Sequence, residues 1–160
     1  DSLLVQSLKA FPVLKIHRLP RREWVQGQCF ACPKIGYSSE VNLSGVPYDS
    51  HALWKGDIAG WFKGTKMRKS VKNFAADTLT FGGKCCHNCY VYHSLQHSKH
   101  YILKALFDFI ANKGLAESRD PELVVTTLRD DSEFLTSLLD KYTKYKEISE
   151  EQYQQNSDDF

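Results

Sequence analysis

At 160 residues, with 42% hydrophobic and 12% aromatic residues, the chain suits one domain, or one domain with a tail, built around a real core. No apolar run approaches the roughly 18 residues of a membrane span, and the first residues do not resemble a signal peptide. Five cysteines, four of them in two Cys-x-x-Cys pairs, argue against a disulfide framework, which would leave one thiol over, and for a metal in a reducing compartment.

The net charge of +2 conceals an asymmetry. Residues 1–116 carry 16 Lys/Arg against 7 Asp/Glu, whereas residues 117–160 carry 5 against 12. Either the basic body meets something anionic, or the two halves neutralise each other in the fold. The abrupt opening Asp1-Ser-Leu-Leu-Val5 fits a domain cut from a longer protein.

In chain order, residues 2–9 read as a short helix or an extended lead-in. Pro12 and Pro20 bracket the alternating Val13-Leu-Lys-Ile16, and Arg18-Leu-Pro-Arg-Arg22 forms a basic turn ahead of Trp24. A solvated turn is its simpler reading, and a nucleic-acid contact the alternative. Cys29-Phe-Ala-Cys32-Pro-Lys-Ile-Gly36 has the composition of a zinc knuckle, which aims two thiolates at one metal. Residues 40–48 predict a hairpin: Val41 and Leu43 alternate, Ser44-Gly45 turns, Val46 and Tyr48 return, and Pro47 must sit on an edge. Asp49 or Ser50 caps a helix to about Phe62, weakened by Gly56 and Gly60, with Trp54 and Trp61 as core residues.

Residues 63–78 predict a basic loop carrying Lys63, Lys66, Arg68, Lys69 and Lys72, and Leu79–Phe81 a short strand. A central helix is expected from Asn88 to Asn112, stopped at Gly114. Leu95, Ile102, Leu106 and Ile110, flanked by Val91 and Phe109, make its apolar stripe. Cys86, Cys89, His93, His97 and His100 fall on roughly the opposite face. Asp120-Pro-Glu122 starts a helix to about Arg129, and Asp131 or Ser132 starts another that buries Phe134, Leu135, Leu138, Leu139 and Tyr142. From Glu147 the composition predicts a flexible acidic tail.

The two pairs supply a tetrahedral zinc with four thiolates, Cys29, Cys32, Cys86 and Cys89, with His93 as an alternate fourth ligand. Knuckle, hairpin, then a pair at a helix start is the treble-clef order, and the positive end of the helix favours thiolate. Cys85 is left over as a small packed thiol. The histidines His87, His93, His97 and His100 read first as a solvated or hydrogen-bonded face. The alternatives are a role orienting a zinc thiolate, or phosphate contact by His97 and His100 together with Lys99 and Lys104. Catalysis finds little purchase, since the deaminase, metalloprotease, phosphate-loop and nucleophile-elbow patterns are all missing. A treble-clef nuclease of the His-Asn-His type is the one enzyme reading, through Tyr48-Asp-Ser-His51, although its Asp-His doublet is interrupted.

Cys29-Phe-Ala-Cys32, Val41-Asn-Leu-Ser-Gly-Val-Pro-Tyr-Asp49, and Gly83-Lys-Cys-Cys86 opening a helix with Tyr92-His93 and His97 together resemble a known domain. The acidic helical segment from Pro121 to Tyr145 is similar too. The family is the carboxy-terminal domain, without assigned activity, of large eukaryotic nuclear proteins of the glutamine- and serine-rich, proline-rich and coiled-coil-containing families, with fungal relatives. The resemblance implies a nuclear, chromatin-associated module that acts by binding.

The sequence thus predicts a mainly helical α+β domain over residues 1–146, with a treble-clef-like site for one structural zinc. A basic body (1–116) precedes an acidic helical pair (117–146), and residues 147–160 form the tail. The expected role is docking to a nuclear protein or nucleic acid, with no membrane and no small-molecule substrate. The alternatives are the nuclease, or a protein–protein scaffold acting through the acidic helices.

Overall fold

The computed structural model describes residues 2–63 and 66–157. It is α+β and mainly helical, and it divides into two compact units, Asp1–His97 and Ser98–Phe160.

The first unit is organised by a strand. Helix α1 (Leu3–Ala10) starts at Ser2, whose hydroxyl accepts from the Val5 N–H. Strand β1 (Val13–Arg18) then runs antiparallel to β4 (Ser39–Ser44), which in turn pairs with β5 (Leu79–Phe81), giving the order β1-β4-β5. Ser39, Val41 and Leu43 of β4 point into the core at the two-residue period of a half-buried strand, whereas Asn42 and Ser44 face out. Leu79 and Phe81 of β5 are fully buried, which stabilises the fold by roughly 2–3 kcal/mol per side chain. Strands β2 (Val25–Gln28) and β3 (Ile35–Tyr37) form a separate ladder with Cys29 to Lys34 at its tip.

Several elements depart from the pattern read in the sequence. The hairpin expected over residues 40–48 does not form: after Gly45 (φ +97°) the chain leaves the sheet, and Pro47 has no N–H to rejoin it. β4 is instead a central strand, paired on both sides. The helix expected to reach Phe62 is split into α2 (Ser50–Lys55) and α3 (Ile58–Phe62). Gly56 adopts φ +78°, closing α2, and the Asp57 carboxylate then accepts from the Gly60 N–H to open α3.

Half of the expected basic loop is a helix, α4 (Lys69–Ala76), while residues 64 and 65 lie outside the described ones. Val71 and Ala75, four apart, are buried on one face with Phe74 beside them, and that face packs on α1 and β4. Helix α5 (Gly83–Asn112) begins about a turn before the expected Asn88, so Cys85 and Cys86 lie within its first turn.

In the second unit, α5 ends as expected, with the Gly114 and Leu115 N–H groups donating to Ala111 and Ile110 at 2.9 Å. Helix α6 (Pro121–Asp130) is capped by the Asp120 carboxylate, which accepts from the Glu122 and Leu123 N–H groups. Helix α7 (Ser132–Ser157) runs on past Glu147, where a tail was expected, because Glu and Gln are good helix formers and Lys146 pairs with Glu150 one turn on. Residues 158–160 lie outside the described ones.

Candidate metal centre

The tip of the β2–β3 ladder hangs on β5. The Cys29 N–H donates to the Lys34 carbonyl at 3.2 Å, closing the turn, and the Phe30 N–H donates to the Thr80 carbonyl at 2.9 Å. The Thr80 hydroxyl donates to the Gln28 carbonyl at 3.1 Å, and the Ser38 N–H to Phe81 at 3.1 Å. Since β5 leads through Gly82 directly into α5, these bonds set the first turn of that helix beside the knuckle.

The result is a group of three sulfurs. Those of Cys29, Cys32 and Cys85 all lie within 4.8 Å of one another, and the Cys85 thiol donates to the Cys32 sulfur at 3.5 Å. Thiolates bound tetrahedrally to zinc at about 2.3 Å stand roughly 3.8 Å apart, so the group is the right size to hold a metal ion. Soft sulfur donors restrict the choice to thiophilic metals.

The group's electrostatics are uneven. Burial pushes the Cys29 thiol up, but the backbone hydrogen bonds from Gly82, Ala31 and Cys32 and the Cys32 thiol together outweigh it, so its pKa lies below the ordinary 9.0. Cys85 is pushed up to about 12, by burial first and then by Cys32 and Cys29. One thiolate is thus prepared by donors, and its negative charge opposes the ionisation of Cys85 until a cation joins them.

The remaining thiols predicted as ligands are placed differently. Cys86 is buried, which raises its pKa; the Ser39 hydroxyl and Arg18 pull the other way. Cys89, also buried, is pushed up to about 12 by burial, then by Cys86 and Cys29. Cys85, read from the sequence as the thiol left over, stands in the group where Cys86 was expected. The signal for it was Gly82-Gly83: a helix starting there carries Cys85, not only Cys86, in its first turn.

The histidine face is turned inward. His93 and His97 are buried, His97 completely, so of the two expected readings, solvated or hydrogen-bonded, these two take the hydrogen-bonded one, on a packing face. The Nε2 of His93 lies 2.8 Å from the Phe11 carbonyl and that of His97 2.8 Å from the Leu8 carbonyl. A carbonyl only accepts, so both Nε2 atoms carry the proton, and the Nδ1 of His97 accepts from the Tyr48 hydroxyl at 2.6 Å. The rings, 4.3 Å apart, therefore tie α1 and Tyr48 to α5. His97 presents nothing to a phosphate, and the Nε2 of His93 is committed to Phe11.

Of the other phosphate candidates, Lys63, Lys66, Arg68, Lys69 and Lys72 are all exposed, the last two on α4. In the second unit, His100 is half-buried and Lys104 pairs with Asp108 at 2.8 Å. His51, the nuclease candidate, is exposed in the first turn of α2, with its N–H bonded to the Asp49 carboxylate that caps the helix. No helix among the described residues is long and apolar enough to cross a membrane.

No protein-family model matches the chain, and neither the curated proteins nor the solved structures give a significant match.

Proposed function

We propose that this chain is a non-catalytic interaction module of the nucleus, stabilised by one zinc and docking to nucleic acid or to chromatin proteins. The observation that carries the reading is the convergence of Cys29, Cys32 and Cys85 from a knuckle and a helix start. A hairpin-borne knuckle facing the first turn of a helix is the treble-clef arrangement. Cys89 is the fourth ligand in this proposal: it follows Cys85 by four residues and so shares its helix face, whereas Cys86 is turned a further 100° towards Ser39. Four thiolates saturate zinc and leave no position for a reactive water, which is why the role is structural. The nuclear and chromatin setting rests on the resemblance of the Cys29–Cys32, Val41–Asp49 and Gly83–His97 segments to the nuclear carboxy-terminal domains. Exposed Arg68, Lys69 and Lys72, with Lys63 and Lys66, favour an anionic partner. A protein scaffold acting through the acidic helices is the second reading, favoured by exposed Leu123, Val125, Leu135 and Leu139.

Elemental analysis of the purified protein should find one zinc per chain. Cys85→Ser should lose it and unfold residues 1–97, because the ligation energy is folding energy. Cys86→Ser should keep it. A metal-free protein that still unfolds cooperatively overturns the proposal. Duplex binding should weaken steeply with salt and with charge reversal of Lys66, Arg68 and Lys69; indifference to that reversal moves the docking surface to the acidic helices.

A further inference from the structure

A second feature of the first unit lies at the start of α5. A cavity of about 390 Å³ opens there, lined by Arg18, Trp24, Ser39, Gly83, His87 and Tyr90 among others, with no carboxylate among the described residues of its wall. It is at the small end of ligand sites, which run from about 300 to 1,000 Å³. We propose that this cavity binds one nucleotide of a single-stranded nucleic acid, its base stacked on Trp24 and its phosphate held by Arg18. The inference deepens the nucleic-acid arm of the function proposed above and rests on it.

Trp24 carries the argument for a base. The residue is 55% exposed, yet its ring is held in place, because the indole N–H donates to the Leu19 carbonyl at 3.1 Å. With its only donor used locally, what Trp24 offers a ligand is a flat apolar face, and every base has a matching one. Tyr90 supplies a second ring from α5.

Arg18 carries the argument for a phosphate. It ends β1, is exposed, and pairs with no carboxylate among the described residues. Arg21, also exposed, follows on the single 3-10 turn Arg21–Glu23. Of the basic turn, Arg18 and Leu19 thus line the cavity together with Trp24, while Arg22 pairs with Glu23 at 3.5 Å. Inside, the Nε2 of His87 is buried and meets no hydrogen-bond partner among the described residues, which is costly unless a ligand group supplies one. A duplex keeps its bases stacked away from Trp24, so the site favours a single strand. A phosphorylated peptide would use Arg18 but would have no need of the Trp24 face.

The test uses the whole chain and fluorescence anisotropy with labelled oligothymidine and oligouridine of roughly 12 nucleotides, a duplex of equal length and a phosphoserine peptide. Both single strands should bind more tightly than the duplex. Trp24→Ala should weaken them about tenfold, and Trp24→Phe, which keeps a stacking face and guards against misfolding, by no more than about threefold. Arg18→Glu should weaken binding and reduce the slope of log affinity against log salt by about one. If Trp24→Ala binds as the parent does, if the duplex binds as well as the single strands, or if the peptide binds in a Trp24-dependent way, the proposal is overturned. Loss on charge reversal of Lys66, Arg68 and Lys69 with Trp24→Ala unaffected sinks this site alone; no binding by any form sinks both readings.

Discussion

Residues 1–97 bury alternate positions of a paired central strand and draw three cysteines and two histidines into the interior. Residues 98–160 are helical almost throughout, and among their described residues only Phe109 is buried. Helix α6 buries nothing, and Leu123, Val125, Leu135, Leu139 and Tyr142 are exposed. What holds the second unit is a set of caps and a few side-chain contacts: caps at Asp120 and Asp131, the Lys113–Asp131 pair at 3.0 Å, and the stacked rings of Phe109 with Phe134 and of Tyr101 with Tyr145, centroids 4.0 and 6.3 Å apart. The difference teaches that a helical unit with little buried face leans on its caps and a few side-chain contacts and is marginal for that reason, whereas a short sheet forms only with a core. The first unit should therefore unfold all at once and the second by degrees.

The strongest way to break that comparison is Phe81→Ala. Phe81 is fully buried on β5, the strand that carries the knuckle and leads into α5. The cavity left should cost the first unit roughly 3–5 kcal/mol. Hydrogen exchange should report a loss of protection across β1, β4 and β5 together, with α6 and α7 keeping theirs. Equal loss in both units means that one core holds the whole chain.

Acid should separate the units by pH. Burial, then the charge of His97, lowers His93 from the ordinary 6.5 to about 4, with the Phe11 carbonyl opposing in part. The imidazole is neutral in the folded unit and takes a proton near 6.5 when unfolded. Its contribution is therefore intact above about pH 6.5 and is lost as pH falls towards 4, by roughly 3 kcal/mol in all. His97 is lowered too, mainly by burial, and acts in the same direction. In the second unit, the Phe134 N–H and then the Lys113 ammonium hold Asp131 below its ordinary 3.8. That stabilisation is present above 3.8 and disappears only as pH falls further. At pH 5 the first unit should have loosened and the second should not. Comparison with His93→Gln separates this effect from acid release of a metal, since only the imidazole's share should vanish in the variant. A variant with the parent's full pH dependence overturns the assignment.

How much of this was legible depends on whether the signal was local. The caps at Asp49, Asp120 and Asp131, the stop at Gly114 and the strand at Leu79–Phe81 announce themselves in a few residues, and of the two cap candidates for α2, Asp49 and Ser50, the structure takes Asp49. Helix α4 was also locally encoded, in Val71, Phe74 and Ala75, but lysines on its outer face made it look like a loop. The histidines stay open between water and hydrogen bonds for a different reason. Whether His93 and His97 face water or core is decided by Leu8, Phe11 and Tyr48, far away in sequence, which supply the partners that let an imidazole be buried. The choice of Cys85 over Cys86 in the sulfur group turns on where α5 begins. A shift of one residue rotates a helical side chain by 100°, so a boundary error of a few residues is enough to change a ligand set.

The smallest effect is also the cleanest probe of the second unit's independence. The Asp120 carboxylate accepts at 3.0 Å from the Glu122 N–H and at 3.2 Å from the Leu123 N–H, two donors that α6 cannot satisfy itself. It also places a negative charge at the positive end of the helix. Asp120→Ala removes both effects and should cost about 1 kcal/mol, within the range of 0.5–2 for such caps. Asp120→Asn keeps an accepting oxygen and should recover most of the loss, which separates the cap from the charge. Because α6 has no buried residue to anchor it, the cost should appear as fraying of its first turn, with faster amide exchange at Val124 and its neighbours. Exchange in β4 and β5 should not change. If it rises there as well, the second unit is not held by its caps alone, and the contrast between a core-built and a cap-built unit fails where it ought to be most secure.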